Sequence, residues 1–152
     1  MALIVDEVFF GFDLPAAPTR PADRQRLAGT TEVLTFALDG MSKNLSAPGL
    51  KIAWLEVSGP GPDVAEALAR LDVIADAYLP FSDVLAGRLG QYLAAVPAAT
   101  RATRQRCREN LATLRGLVRT EPSGTVNLLE PEGGWNAVSY THLRAHETLR
   151  YL

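Results

Sequence analysis

The residue types best suited to chemistry crowd into one stretch, Gly40-Met-Ser42-Lys43-Asn-Leu-Ser-Ala-Pro48-Gly49-Leu-Lys51-Ile-Ala-Trp54. It sets a lysine in a loop of small residues, just after a run that reads as a buried strand. An amine partly withdrawn from water favours its neutral form, which is the nucleophile that condenses with carbonyl compounds. A Ser-Lys pair alone also fits an ordinary surface loop. Two further clusters carry weaker signals. His142 and His146 stand four residues apart, so a helix would put both on one face with Glu147 beside them, but no third ligand follows at a metal-site spacing. Arg101, Arg104, Arg106, Arg108 and Arg115 suggest an anion-binding face, although such a run is more often the solvated side of a helix.

The elements that position these residues follow from pattern. Residues 2–5 form a continuous apolar run ended by Asp6-Glu7, which predicts a strand buried on both faces, as in a parallel sheet. Pro15, Pro18 and Pro21 mark an extended connection over 13–26. Residues 32–38 predict a second strand ended by Asp39-Gly40, and 52–57 a third. Beyond Pro62, the spacing of Val64, Leu68, Leu71 and Tyr78 predicts an amphipathic helix that stops at Pro80. Ser82 is placed to cap a second helix with Leu85, Leu89 and Leu93 inward. A third helix is expected after Pro97, running to about Arg119, with Cys107, Leu111, Leu114 and Val118 as its apolar stripe. Pro122-Ser-Gly closes it, 126–129 reads as a strand, and Gly133-Gly134-Trp135 as a turn into another. Strands, then helices, then a fresh β start predict part of an α/β layer followed by the beginning of a second domain.

Composition narrows the classes. The chain has 152 residues, 47% hydrophobic and 21% charged, which is a globular composition of one-domain size. A net charge of −2 is too near neutral to argue for nucleic acid or an anionic membrane as partner. No apolar run approaches the ~20 residues of a bilayer span, and no basic-then-apolar leader opens the chain. Cys107 is the lone cysteine, which excludes an internal disulfide and fits a reducing, cytoplasmic setting. Residues 138–148 resemble a translated sequencing adapter. That predicts a non-native tail over 138–152 and assigns no metal role to either histidine.

The Lys43 stretch resembles the cofactor-lysine motif of the class I/II aminotransferases, which are fold type I enzymes of pyridoxal 5'-phosphate (PLP). That motif is Ser-Lys, a short spacer, Pro-Gly, a basic residue, a small hydrophobic, then Gly or Ala and an aromatic. Lys51 follows Lys43 by eight residues, similar to the family spacing. Leu3-Ile-Val-Asp6-Glu7-Val8-Phe9 resembles the family strand that ends in an aspartate, and Asp6 precedes Lys43 by 37 residues. Glu130-Pro-Glu-Gly133-Gly134-Trp135 resembles the turn that opens the family's small domain. Asp6, Lys51 and Trp135 taken singly would read as a strand cap, a surface lysine and a core residue. Their joint spacing carries the resemblance, which covers residues 1–137.

The resemblance implies that Lys43 forms a Schiff base with the PLP aldehyde and then shuttles the substrate Cα proton. It sets Asp6 against the pyridine nitrogen and Lys51 near the phosphate. It implies an α/β fold: the second half of a PLP-binding large domain, with an incomplete, mostly parallel sheet, over 1–96, and an interdomain helix with the start of an α+β small domain over 97–137. The implied activity is amino-group transfer between an amino acid and a 2-oxo acid, in a homodimeric parent with neither membrane nor nucleic acid as partner. The family's glycine-rich phosphate loop and substrate-clamping arginine fall outside the chain, so it is expected to be an inactive internal fragment. Three departures stand out: Phe9 replaces a tyrosine, Lys51 an arginine and Gly40 a serine seen in many members. They leave open an aminotransferase-like effector domain of a PLP-sensing transcription regulator, or another fold type I enzyme such as a lyase or decarboxylase.

Overall fold

Short β-rich runs on either side of the Lys43 stretch make the sheet that holds it. In the computed structural model, which describes residues 1–14, 24–78 and 82–141, β1 (Ala2–Asp6) runs parallel to β2 (Leu34–Gly40), with Ile4 opposite Phe36 and Asp6 opposite Leu38. β3 (Ala53–Ser58) lies antiparallel on the other side of β2, with Leu55 opposite Leu38 and Ala53 opposite Gly40. The expected mostly parallel sheet is therefore mixed among the described residues. The cause is the β2–β3 connection. A single helical turn, α1 (Met41–Asn44), and a 3₁₀ turn (Pro48–Leu50) reverse the chain, whereas a parallel return needs a longer crossover.

β1 is not buried on both faces. It is an edge strand whose Leu3 and Val5 are half-buried while Ile4 is 80% exposed. An apolar run cannot by itself say which face finds a cover. β2 is the better-buried strand, with Thr35, Ala37 and Asp39 inward on one face and Leu38 exposed on the other.

α2 (Gly61–Asp76) starts with Pro62 in its first turn, where a missing N–H costs nothing, and with Asp63 near its positive end. The face it turns to the sheet is rotated from the expected stripe. Ala67 is buried and lines a groove with Leu34, Phe36, Leu71 and Ile74, while Leu68 and Tyr78 are exposed. The small side chain at 67 permits the close approach that leucine at 68 would block. Pro80 lies outside the described residues, as do Pro15, Pro18 and Pro21 of the expected connection.

Ser82 caps as expected: its Oγ accepts from the Val84 N–H at 3.3 Å and opens α3 (Asp83–Ala86). The second expected helix is nonetheless split. Its later half merges with the third into α4 (Leu89–Thr120), which runs through Pro97 instead of starting there. Proline removes the N–H that would serve the Leu93 carbonyl. Leu93 is 47% exposed, so water can take that place. The apolar stripe of α4 holds: Leu111 is buried, and Cys107, Leu114 and Val118 are half-buried. The arginines are not uniformly solvated, because Arg104, Arg108 and Arg115 are half-buried and Arg115 pairs with Glu130.

Past α4, the Glu121 carboxylate accepts from the Ser123 N–H at 2.9 Å and Oγ at 2.7 Å, which turns the chain into β4 (Val126–Leu129). β5 (Val138–Thr141) pairs antiparallel with β4. The first residues of the expected non-native tail thus form a strand, though all four of its side chains are exposed. His142, His146 and Glu147 lie outside the described residues. The chain divides into two compact units, Met1–Gly11 with Pro21–Arg101, and Phe12–Arg20 with Ala102–Leu152. Among the described residues no helix is long and apolar enough to cross a membrane.

Candidate active site

The carboxyl ends of β1 and β2 lie side by side, and each runs into a tight turn. Asp6 ends β1. It is exposed, and its Oδ1 accepts from the Val8 N–H at 3.0 Å, which starts the turn through Phe10. Gly40 ends β2, and α1 follows at once with Lys43 half-buried between the buried Met41 and Asn44. Several bonds fix α1. The Met41 N–H donates to the Ile52 carbonyl at 2.9 Å, and the Thr100 hydroxyl donates to the Asn44 carbonyl at 3.0 Å. The Lys43 Nζ stands 5.5 Å from the centre of the Phe9 ring. A cation over an aromatic face is attracted by the ring's negative centre. Through that contact the turn after Asp6 meets the turn carrying Lys43.

Lys51 follows the 3₁₀ turn in the left-handed region at φ 55, exposed, and leads straight into the buried Ile52. Ser46 also has φ 55, and these two are the described non-glycine residues with positive φ. Left-handed backbone with a β-carbon costs about 1–2 kcal/mol, and such strain collects at functional loops. Both outliers fall in the loop from Lys43 to Lys51. Ser42 is half-buried beside Lys43.

The departure at Gly40 has a packing cause. Its backbone is extended, but a β-carbon there would stand 2.9 Å from the Ile52 carbonyl oxygen and 3.1 Å from the Ala53 Cα. A serine would push β3 away from β2. Phe9 lacks the hydroxyl of a tyrosine and instead offers its ring to Lys43.

A charge cluster that the sequence did not disclose sits beneath both turns. The Arg26 Nη1 reaches Glu7 Oε2 at 3.2 Å and Asp39 Oδ2 at 2.8 Å. Glu7 Oε1 also accepts from the Leu27 N–H at 2.7 Å. Asp39 Oδ1 accepts from the Gly40 N–H and from Asn44 Nδ2, both at 2.7 Å. Glu7 and Asp39 are buried. The one signal available was an acidic residue at the inner end of each strand. The partner arginine lies in a stretch with no periodicity to mark it.

The second unit holds Trp135. Its ring meets Phe12 edge to face with centroids 5.9 Å apart, and it lines a cavity of about 270 Å³ with Leu14, Cys107, Leu111 and Leu114. A close bridge from Asp13 to Gly133 holds the turn, where a β-carbon on Gly133 would stand 2.8 Å from the Phe12 carbonyl oxygen. Burial pushes the Cys107 thiol above its ordinary pKa, partly opposed by Arg106. The structure thus gathers Asp6, Lys43 and Lys51 into one unit. Among the described residues no group of three or more His, Cys, Asp or Glu side chains could hold a metal ion.

Comparison with curated proteins gives no significant match. A family model described as aminotransferase class I and II matches residues 1–152. Because the match runs the length of the sequence and includes the Asp6 strand, the Lys43 loop and the Trp135 turn, the chain belongs to the class I and II aminotransferase family.

Proposed function

We propose that this is the chain of a PLP-dependent aminotransferase that moves an amino group between an amino acid and a 2-oxo acid. Lys43 is its covalent anchor, Asp6 the partner of the pyridine nitrogen and Lys51 the cation on the phosphate side. The observation that carries this reading is the contact of Lys43 with Phe9, three residues past Asp6, at the carboxyl ends of two parallel strands. Ligands of open α/β sheets bind at such ends.

The residues fit the group. PLP offers an aldehyde, a ring nitrogen and a phosphate, and the loops offer an amine, a carboxylate and a second cation. When bound, PLP supplies the electron sink for carbanion chemistry. Lys43 contributes the amine and, once released, accepts and returns a proton at Nζ. The exposed carboxylate of Asp6 favours a protonated ring nitrogen. Lys51 gives the phosphate a point charge in place of arginine's planar fork. We further propose a large-domain portion over 1–96, an interdomain helix with small-domain start over 97–137, a non-native tail over 138–152, and a homodimeric, cytoplasmic parent. The isolated chain is expected to hold PLP without turnover. Asp6 and Lys51 are exposed and Lys43 is only half-buried, so water reaches the site.

The test is reduction of the PLP-treated chain with borohydride and mapping of the product by mass. A stable adduct at Lys43, abolished by Lys43→Ala, is expected. An adduct confined to Lys51, or none, would sink the assignment.

A further inference from the structure

We propose that Arg26, through Glu7 and Asp39, is a positioning clamp that sets Lys43 against the turn after Asp6. One guanidinium nitrogen touches two carboxylates, one in the turn after β1 and the other at the end of β2, next to the Lys43 turn. Glu7 directly follows Asp6 in sequence. Asp39 grips both ends of the Lys43 turn, through the Gly40 N–H and the Asn44 amide. Moving Arg26 therefore moves the supports of both loops together. The guanidinium also lies 4.6 Å from the centre of the Phe10 ring, which fixes its plane, and the Leu27 N–H bond to Glu7 holds the segment that carries it. Both buried carboxylates meet this cation. Removing it leaves two buried carboxylates with only neutral donors, the Leu27 N–H for Glu7 and the Gly40 N–H and Asn44 amide for Asp39. Its catalytic meaning rests on the role proposed above for Lys43. Its geometry does not.

Lys43 and Lys51 are the only lysines in the chain, so acylation gives an internal ratio. The full chain and its Arg26→Gln variant are treated with limiting acetic anhydride, without cofactor, and the two sites are quantified by mass. Releasing the clamp is expected to free Lys43 and raise its labelling relative to Lys51 by about threefold or more, because an amine released from its ring contact and from burial is more exposed to reagent. A role in stability alone would lower the thermal midpoint and leave the ratio of the folded protein unchanged. If Arg26→Gln fails to fold, Glu7→Gln is read instead, since it weakens the tie of Arg26 to the turn after Asp6 and removes one of the two buried charges. An unchanged ratio in the folded variant overturns the clamp. A parallel PLP and borohydride arm separates the two ideas. A shifted ratio with no wild-type adduct at Lys43 supports the clamp and sinks the cofactor role, while an unchanged ratio with a clear Lys43 adduct does the reverse.

Discussion

Lys51 spends a left-handed backbone conformation on presenting a side chain to solvent, and it does so beside the most buried residues of its unit. Replacing it with arginine leaves that backbone cost unchanged and adds a bidentate fork. If the phosphate sits there, Lys51→Arg raises PLP affinity by about threefold to tenfold, read from the absorbance titration of the adduct. Unchanged or weaker binding would mean that residue 51 does not meet the phosphate. Cys107 allows a check of a different kind. Its raised pKa means the folded state prefers the neutral thiol, so the stability it contributes is intact below the ordinary thiol pKa and is lost as pH rises through the folded value. Iodoacetamide should therefore alkylate Cys107 more slowly at pH 8 than a free thiol. An equal rate would contradict the burial. At this scale a local motif marks Asp6, Lys43 and Lys51 as candidates in the sequence, and all three fall in one unit. The sequence did not disclose Arg26, whose carboxylate partners lie 19 and 13 residues away and leave no local trace.

Among the elements, the β2–β3 junction is the tightest. Gly40→Ser should cost about 1–3 kcal/mol, because the clash is with backbone and not with a movable side-chain end. Chemical denaturation of the two proteins measures it, and a neutral result would show that β3 yields easily. Strand and cap positions were legible where the signal is local. Residues 126–129 appear as β4, and Ser82 caps α3. Two features were not. Pro97 reads as a boundary, yet α4 continues through it, with Leu93, the residue four before it, exposed. The buried face of α2 was set by which residue allows the closest approach to the sheet, Ala67, and hydrophobic spacing weights leucine above alanine. The direction of β3 depended on how the loop after Lys43 folds, which no pattern within the strand records.

For the molecule as a whole, apolar surface is the governing feature. Ile4, Leu38 and Leu55 share one sheet face by register and are exposed, as are Val73 and Ile74 on α2. Contiguous apolar surface and an open strand edge invite association. The purified chain should sediment with concentration-dependent mass, and Ile4→Lys should shift it toward monomer. A monodisperse monomer with one sharp thermal transition would contradict this. The α/β class and the placement of Asp6, Lys43 and Lys51 in one unit were legible from element order, while the exposed face was not, since a sequence does not state which of its apolar runs will find a cover. The β4–β5 ladder carries a consequence of its own for sequence change. All four side chains of β5 are exposed and main-chain bonds to β4 set its register, so Val138, Ser139 and Thr141 place little demand on residue identity. Substitutions at 138, 139 and 141 other than proline should leave the pairing intact, with β4 supplying the template that keeps the strand in register.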